Sequence, residues 1–94
     1  MHFILVSYDI ENDRRRTKIH KILSDFGTPV QYSVFECFIT EDDFHEMREK
    51  LIRQLDPNHP EDTIRYYSLC RSCVEKIIID GNKNFNIEGP FIIT

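Results

Sequence analysis

An α+β fold, an antiparallel sheet with two helices on one face, is what this sequence predicts. Three observations carry that prediction. Extended, β-branched runs alternate with two stretches in which apolar residues recur at helical spacing. Their order reads strand, helix, strand, strand, helix, strand, the split βαβ or ferredoxin-like βαββαβ plan. At 94 residues, 40% of them hydrophobic and 12% aromatic, the chain has material for one core and a single domain spanning 1–94.

Residues 2–10, HFILVSYDI, are nearly continuously apolar and suit a central strand hemmed by neighbours. Asn12 or Asp13 caps the helix that follows, and Ile19, Ile22, Leu23 and Phe26 recur at i, i+3, i+4 and i+7 as one stripe. Gly27 is placed as its C-terminal cap. After Thr28-Pro29, residues 30–39 are extended again, but the alternation slips phase at Val34-Phe35. A one-residue slip sends side chains to the opposite face, so a tight reversal near Ser33 splits the run into two strands. Thr40, with Asp43 three residues on, opens a second helix striped by Phe44, Met47, Leu51 and Leu55. Pro57 and Pro60 stop it. Strands are expected over 63–70 and 76–80, the latter closed by a Gly81-Asn82 turn. The tail runs to Pro90-Phe91-Ile92-Ile93, one more β-prone segment. Exposed apolar edges pair with something, so 76–94 is expected to supply an extra C-terminal strand and to serve a homodimer.

The longest apolar run, Phe3-Ile4-Leu5-Val6, falls far short of the roughly 20 residues of a membrane-spanning helix. No basic-then-apolar leader opens the chain, and a soluble, cytoplasmic protein is expected. Three cysteines, an odd number, argue against a disulfide scaffold and for reduced thiols. Net charge is -4, but the charges are segregated. Five of the 12 basic residues are Arg14, Arg15, Arg16, Lys18 and Lys21, while 41–62 holds eight acidic ones. Phosphate contacts are local, so a basic patch on an acidic chain still suits a nucleic acid.

Asp9 ends a nearly apolar strand and precedes a charged loop. Locally it suits either a turn at the strand end or a ligand for a hard divalent cation such as Mg²⁺, which takes oxygen donors and keeps several waters. One Asp is a poor site; two copies facing across a dimer axis would make a good one. Arginines just beyond would hold phosphates, and phosphodiester hydrolysis is the reaction that fits. Asp9, Glu11 and Asp13 alternate as in a calcium loop, but Arg14 and His20 stand where that loop needs Gly and Glu. Cys70-x-x-Cys73 has no second pair to complete a zinc site. A thioredoxin-type role would want the pair at the start of a helix after a strand, whereas Arg71 and Ser72 read as a strand connection. His2, His20, His45 and His59 are scattered and read as surface residues. Tyr32, Phe35, Phe38, Tyr66 and Tyr67 lie on strands without an RNA-recognition signature, which favours core and dimer packing.

Tyr8-Asp9-Ile10, then Arg15-Arg16-x-Lys18, Gly27 and Gln31-Tyr32-Ser33-Val34-Phe35-Glu36, resemble the small CRISPR-associated protein 2 family over nearly the whole chain. The resemblance implies a ferredoxin-like homodimer, metal-dependent cleavage of RNA or DNA in some members, and partnership with the CRISPR integrase that inserts foreign spacers. It implies that Asp9, one from each protomer, is the catalytic and metal residue, with Mg²⁺ the expected cofactor. Arg16 and Lys18 match the family's basic positions at the start of the helix, and Arg14 and Arg15 extend that patch toward nucleic acid. Tyr8 and Phe35 are the aromatics expected beside the cleft. Pro29 departs from the Arg that many relatives carry there. Two further readings stand beside the nuclease: a non-catalytic dimeric scaffold that holds duplex DNA, and a free-standing ribonuclease toxin of the same fold.

Overall fold

Strand β1 (His2–Asp9) runs through the middle of the sheet because its residues are needed on both faces. Ile4, Val6 and Tyr8 point one way into the main apolar cluster, and Phe3, Leu5, Ser7 and Asp9 alternate to the other. The computed structural model describes residues 1–81. β1 pairs antiparallel with β3 (Val34–Ile39) on one side and β4 (Thr63–Leu69) on the other, and β2 (Thr28–Gln31) lies outside β3. The order β2-β3-β1-β4 is that of the ferredoxin-like plan.

Helices α1 (Asp13–Ser24) and α2 (Glu41–Ile52) cover the same face, contributing Ile19, Leu23, Met47 and Leu51 to a core with Phe35, Cys37 and Ile39. Each helix begins where a side chain replaces a missing backbone partner. Asn12 Oδ1 accepts from the Arg15 amide at 3.0 Å, and Thr40 Oγ1 from the Asp43 amide at 3.1 Å. The expected reversal between β2 and β3 is present: Ser33 takes φ +65, and Gln31 faces Val34 across the turn. Pro29, on the edge strand, removes no interior ladder bond.

Gly27 serves differently from the predicted cap. α1 ends at Ser24, and a Cβ on Gly27 would lie 2.4 Å from the Glu36 carbonyl oxygen and 2.5 Å from Cys37 Sγ. Close approach of α1's exit to β3 therefore demands glycine, and no left-handed backbone is involved.

The expected strand over 76–80 does not form. Register with β1 ends at Leu69 opposite Phe3, and the chain turns at once into a short helix, α3 (Arg71–Glu75). Residues 77–80 are irregular, pair with no described strand, and leave Ile78 84% exposed. Gly81 takes φ +123, as a turn requires; Asn82 and the proposed C-terminal strand lie outside the described residues. Among the described residues no helix is long and apolar enough to cross a membrane.

Candidate functional site at the tip of the first strand

Asp9 closes the β1 ladder opposite Thr63. Its flanking residues, Tyr8 and Ile10, are buried among the core side chains, so the backbone is pinned on both sides of an exposed carboxylate. Alternation turns that carboxylate to the helix-free face, with Ser7 and, on β4, Arg65. No described residue bonds to the Asp9 side chain.

That is notable because three arginines follow within seven residues. Arg16 Nη1 donates to the carbonyls of Ile10 at 2.9 Å and Glu11 at 3.3 Å, and its Nη2 pairs with Asp13. Arg15 pairs with Asp62, just ahead of β4, and the other oxygen of Asp62 accepts the Glu11 amide at 3.3 Å. Asp62's side chain is only 2% exposed. The hydrogen bond from Arg15 holds its carboxyl below the usual 3.8. Residues 10–12 are thus tied at once to the start of α1 and to β4. Of the four basic residues expected to meet nucleic acid, Arg15 and Arg16 are engaged inside the chain. Arg14 and Lys18, one helical turn apart, are exposed and carry no described partner.

Beneath the tip lie the two aromatics expected beside the cleft, and both rings face inward. Phe35 is wholly buried; Tyr8 packs on it at 6.4 Å between ring centroids. His20 caps the pair, edge-on to Phe35 at 5.0 Å with Nδ1 3.4 Å from the Tyr8 hydroxyl. Burial pushes the Tyr8 phenol above 10.0, against a hydrogen bond from Ser33. The rings therefore belong to the core on the sheet face opposite the Asp9 carboxylate and offer no open stacking surface in the single chain. His20 is exposed, as the sequence suggests, but nothing in the sequence points to its contacts with Tyr8 and Phe35 or singles out Asp62.

Among the described residues no three or more His, Cys, Asp or Glu side chains gather to hold a metal. An open groove of about 300 Å³ between α2 and the other end of β1, lined by His2, Ile4, Phe44 and Tyr66 among others, does not include Asp9. Cys70 and Cys73, expected in a strand connection, instead occupy the start of α3 directly after β4.

Fold and tip together define a ferredoxin-like α+β domain that presents a free carboxylate at the end of its central strand and exposed cations in the first half of the helix that follows. The family described as CRISPR associated protein Cas2 matches residues 1–77. The chain is 45% identical over 80 residues to the CRISPR-associated endoribonuclease Cas2 1 of Chloroflexus aurantiacus, covering 85% of each. Its structure resembles the crystal structure of Streptococcus pyogenes Cas2 at pH 6.5, with TM-score 0.71 and 30% identity over 84% of this chain and 99% of that one. It also resembles a chain of a partial Cas6-RT-Cas1--Cas2 complex, with TM-score 0.72 and 28% identity over 84% and 90%. This chain belongs to the CRISPR-associated protein Cas2 family.

Proposed function

We propose that the protein acts in CRISPR adaptation in the cytoplasm, as a homodimer bound to the CRISPR integrase, and that it hydrolyses phosphodiester bonds of RNA or DNA with the help of a divalent cation. The observation that carries this reading is the free Asp9 carboxylate: Arg15 and Arg16 are engaged with Ile10, Glu11, Asp13 and Asp62, which leaves Asp9 available. The endoribonuclease name of the Chloroflexus relative and the Cas1–Cas2 assembly support it.

One chain offers one carboxylate at the tip, and Mg²⁺ needs only one or two while keeping its waters, so Asp9 from each of two protomers fits the cation. When bound, such a cation polarises a phosphoryl oxygen and lowers the pKa of its water. This chain's own residues do the rest. Asp9 would hold the cation, Tyr8 and Ile10 fix where Asp9 stands, and the Arg15–Asp62 and Arg16 contacts hold residues 10–12 in place. Arg14 and Lys18 contact phosphates on either side of the bond to be cut.

The test is cleavage of single-stranded RNA, single-stranded DNA and duplex DNA in Mg²⁺ by wild type and by Asp9→Ala. Wild type is expected to cleave at least one, and the variant to lose about 100-fold or more of that rate while still sedimenting as a dimer. Undiminished cleavage removes Asp9 from the mechanism. The free cations Arg14 and Lys18 also favour a non-catalytic scaffold, which stands if wild type binds duplex DNA and cuts nothing.

A further inference from the structure

β4 leaves the sheet at Leu69, opposite Phe3, whereas Asp9 pairs with Thr63 at the other end of the same ladder. At this remote end two thiols face each other. Cys70 and Cys73 are exposed, with Sγ atoms 3.4 Å apart, and the Ser72 hydroxyl lies 3.2 Å from Cys70 Sγ. A disulfide spans about 2.0 Å between sulfurs, so closing the bond asks little more than rotation of the two side chains. Neither thiol belongs to the core, where α3 contributes only Val74. The third thiol is a control built into the chain: Cys37 is wholly buried, 4.0 Å from Met47 Sδ, and burial pushes it up to about 11.

The two exposed thiols are also unequal. The Ser72 hydroxyl, followed by Cys73, brings Cys70 down to about 7, while the same contact raises Cys73. Near neutral pH one member of the pair is substantially thiolate and the other a thiol held beside it, which is the division of labour between an attacking and a resolving cysteine.

We propose that Cys70 and Cys73 form a reversible dithiol–disulfide site that exchanges with low-molecular-weight disulfides of the glutathione type. The Cys70 thiolate attacks one sulfur of the small disulfide; its S–S bond breaks and one small thiol leaves. Cys73 then gives up its proton and attacks Cys70 Sγ in the mixed disulfide, expelling the second small thiol. Two protein thiols are oxidised to one disulfide, and one small disulfide is reduced to two thiols. The bond staples the first turn of α3, a five-residue helix with a single buried anchor, and so stiffens the exit of the chain from β4. This site does not depend on the role of Asp9.

The experiment uses the full chain, reduced and then exposed to oxidised glutathione near neutral pH, quenched in acid, alkylated and weighed. Wild type is expected to become lighter by two hydrogens. Trypsin, cutting after Arg71, should yield peptide 66–71 linked to peptide 72–76, with Cys37 alkylated only after denaturation. Cys73→Ser is expected to stop as a glutathione adduct on Cys70, and Cys70→Ser to react about tenfold more slowly than wild type. A lasting glutathione adduct on wild type, disulfide-linked dimers of the chain, or thiols untouched under these conditions would each overturn the proposal.

Discussion

Two strand-to-helix units, β1 with α1 and β3 with α2, repeat one arrangement within this fold. Both helices run for 12 residues from a side-chain cap, and Ile19 and Leu23 stand as far from Asn12 as Met47 and Leu51 do from Thr40. The units part at other positions. Ile39 passes directly to Thr40, whereas Ile10 and Glu11 intervene between Asp9 and Asn12. Phe44, on α2, sets its ring edge-on to Tyr66 at 5.7 Å; at the same distance from its cap α1 has Arg16, which grips the carbonyls of Ile10 and Glu11. A buried stripe and a cap suffice to build either helix, as the second unit demonstrates. The two loop residues between Asp9 and the cap, held by a guanidinium and by Asp62, have no counterpart in the second unit, and they directly follow a carboxylate that no described residue engages.

If the units are equal in packing, equal damage should follow from equal cuts. Leu23→Ala and Leu51→Ala each remove a wholly buried side chain, and each is expected to cost about 2–5 kcal/mol in urea unfolding. If the two sites collapse to similar extents, the two costs should agree within about 1 kcal/mol. A cost at Leu51 well below that range would show that the second helix is not a structural twin and would break the comparison.

The ion pair belongs to the first unit alone. Asp62's folded pKa lies below 3.8, so it contributes stability at pH values above that figure, and the contribution is lost as pH falls through the folded pKa. Asp62→Asn keeps the shape, removes the charge and leaves Arg15, 17% exposed, without its counterion. Thermal melts should show the variant clearly below wild type at about pH 7, with the gap narrowing by about pH 3. A constant gap would mean that the carboxylate's charge contributes nothing. Loosening of residues 10–12 should also slow any cleavage by wild-type standards, with Asp9 untouched.

What the sequence disclosed follows the same division between local and distant causes. Asn12, Thr40, the two stripes and the phase slip at Val34-Phe35 are signals contained within a turn or two of chain, and each element they predicted is present. Gly27 was noticed for the wrong reason, because its constraint comes from β3 across the fold. Asp62 finds Arg15 at a separation of 47 residues, and no periodicity reports such a partner. α3 was mistaken for a strand connection because five residues with one buried side chain carry no stripe to read. The strand-connection reading also sets aside a redox role for Cys70 and Cys73, whose spacing suits a helical turn and has no such meaning on a strand. Asp9 itself is legible as a polar end to an apolar run; that Arg15 and Arg16 are engaged elsewhere is not.

The smallest expected effect compares the outer faces of the two helices. Arg14 and Lys18 occupy the positions, counted from the cap, that Asp42 and Glu46 occupy on α2, and all four are exposed. If the first unit grips a polyanion, replacing Arg14 and Lys18 by Ala should flatten the logarithmic salt dependence of duplex binding by about 0.9 for each phosphate no longer neutralised. Replacing Asp42 and Glu46 by Ala should leave that slope unchanged, since acidic groups release no counterions from the duplex. Arg15 and Arg16 provide the internal check: engaged with Asp62, Ile10 and Glu11, they should alter stability more than slope when replaced. A slope that responds to Arg15 and Arg16 but not to Arg14 and Lys18 would mean that the loop opens on binding and hands its guanidinium groups to the phosphates.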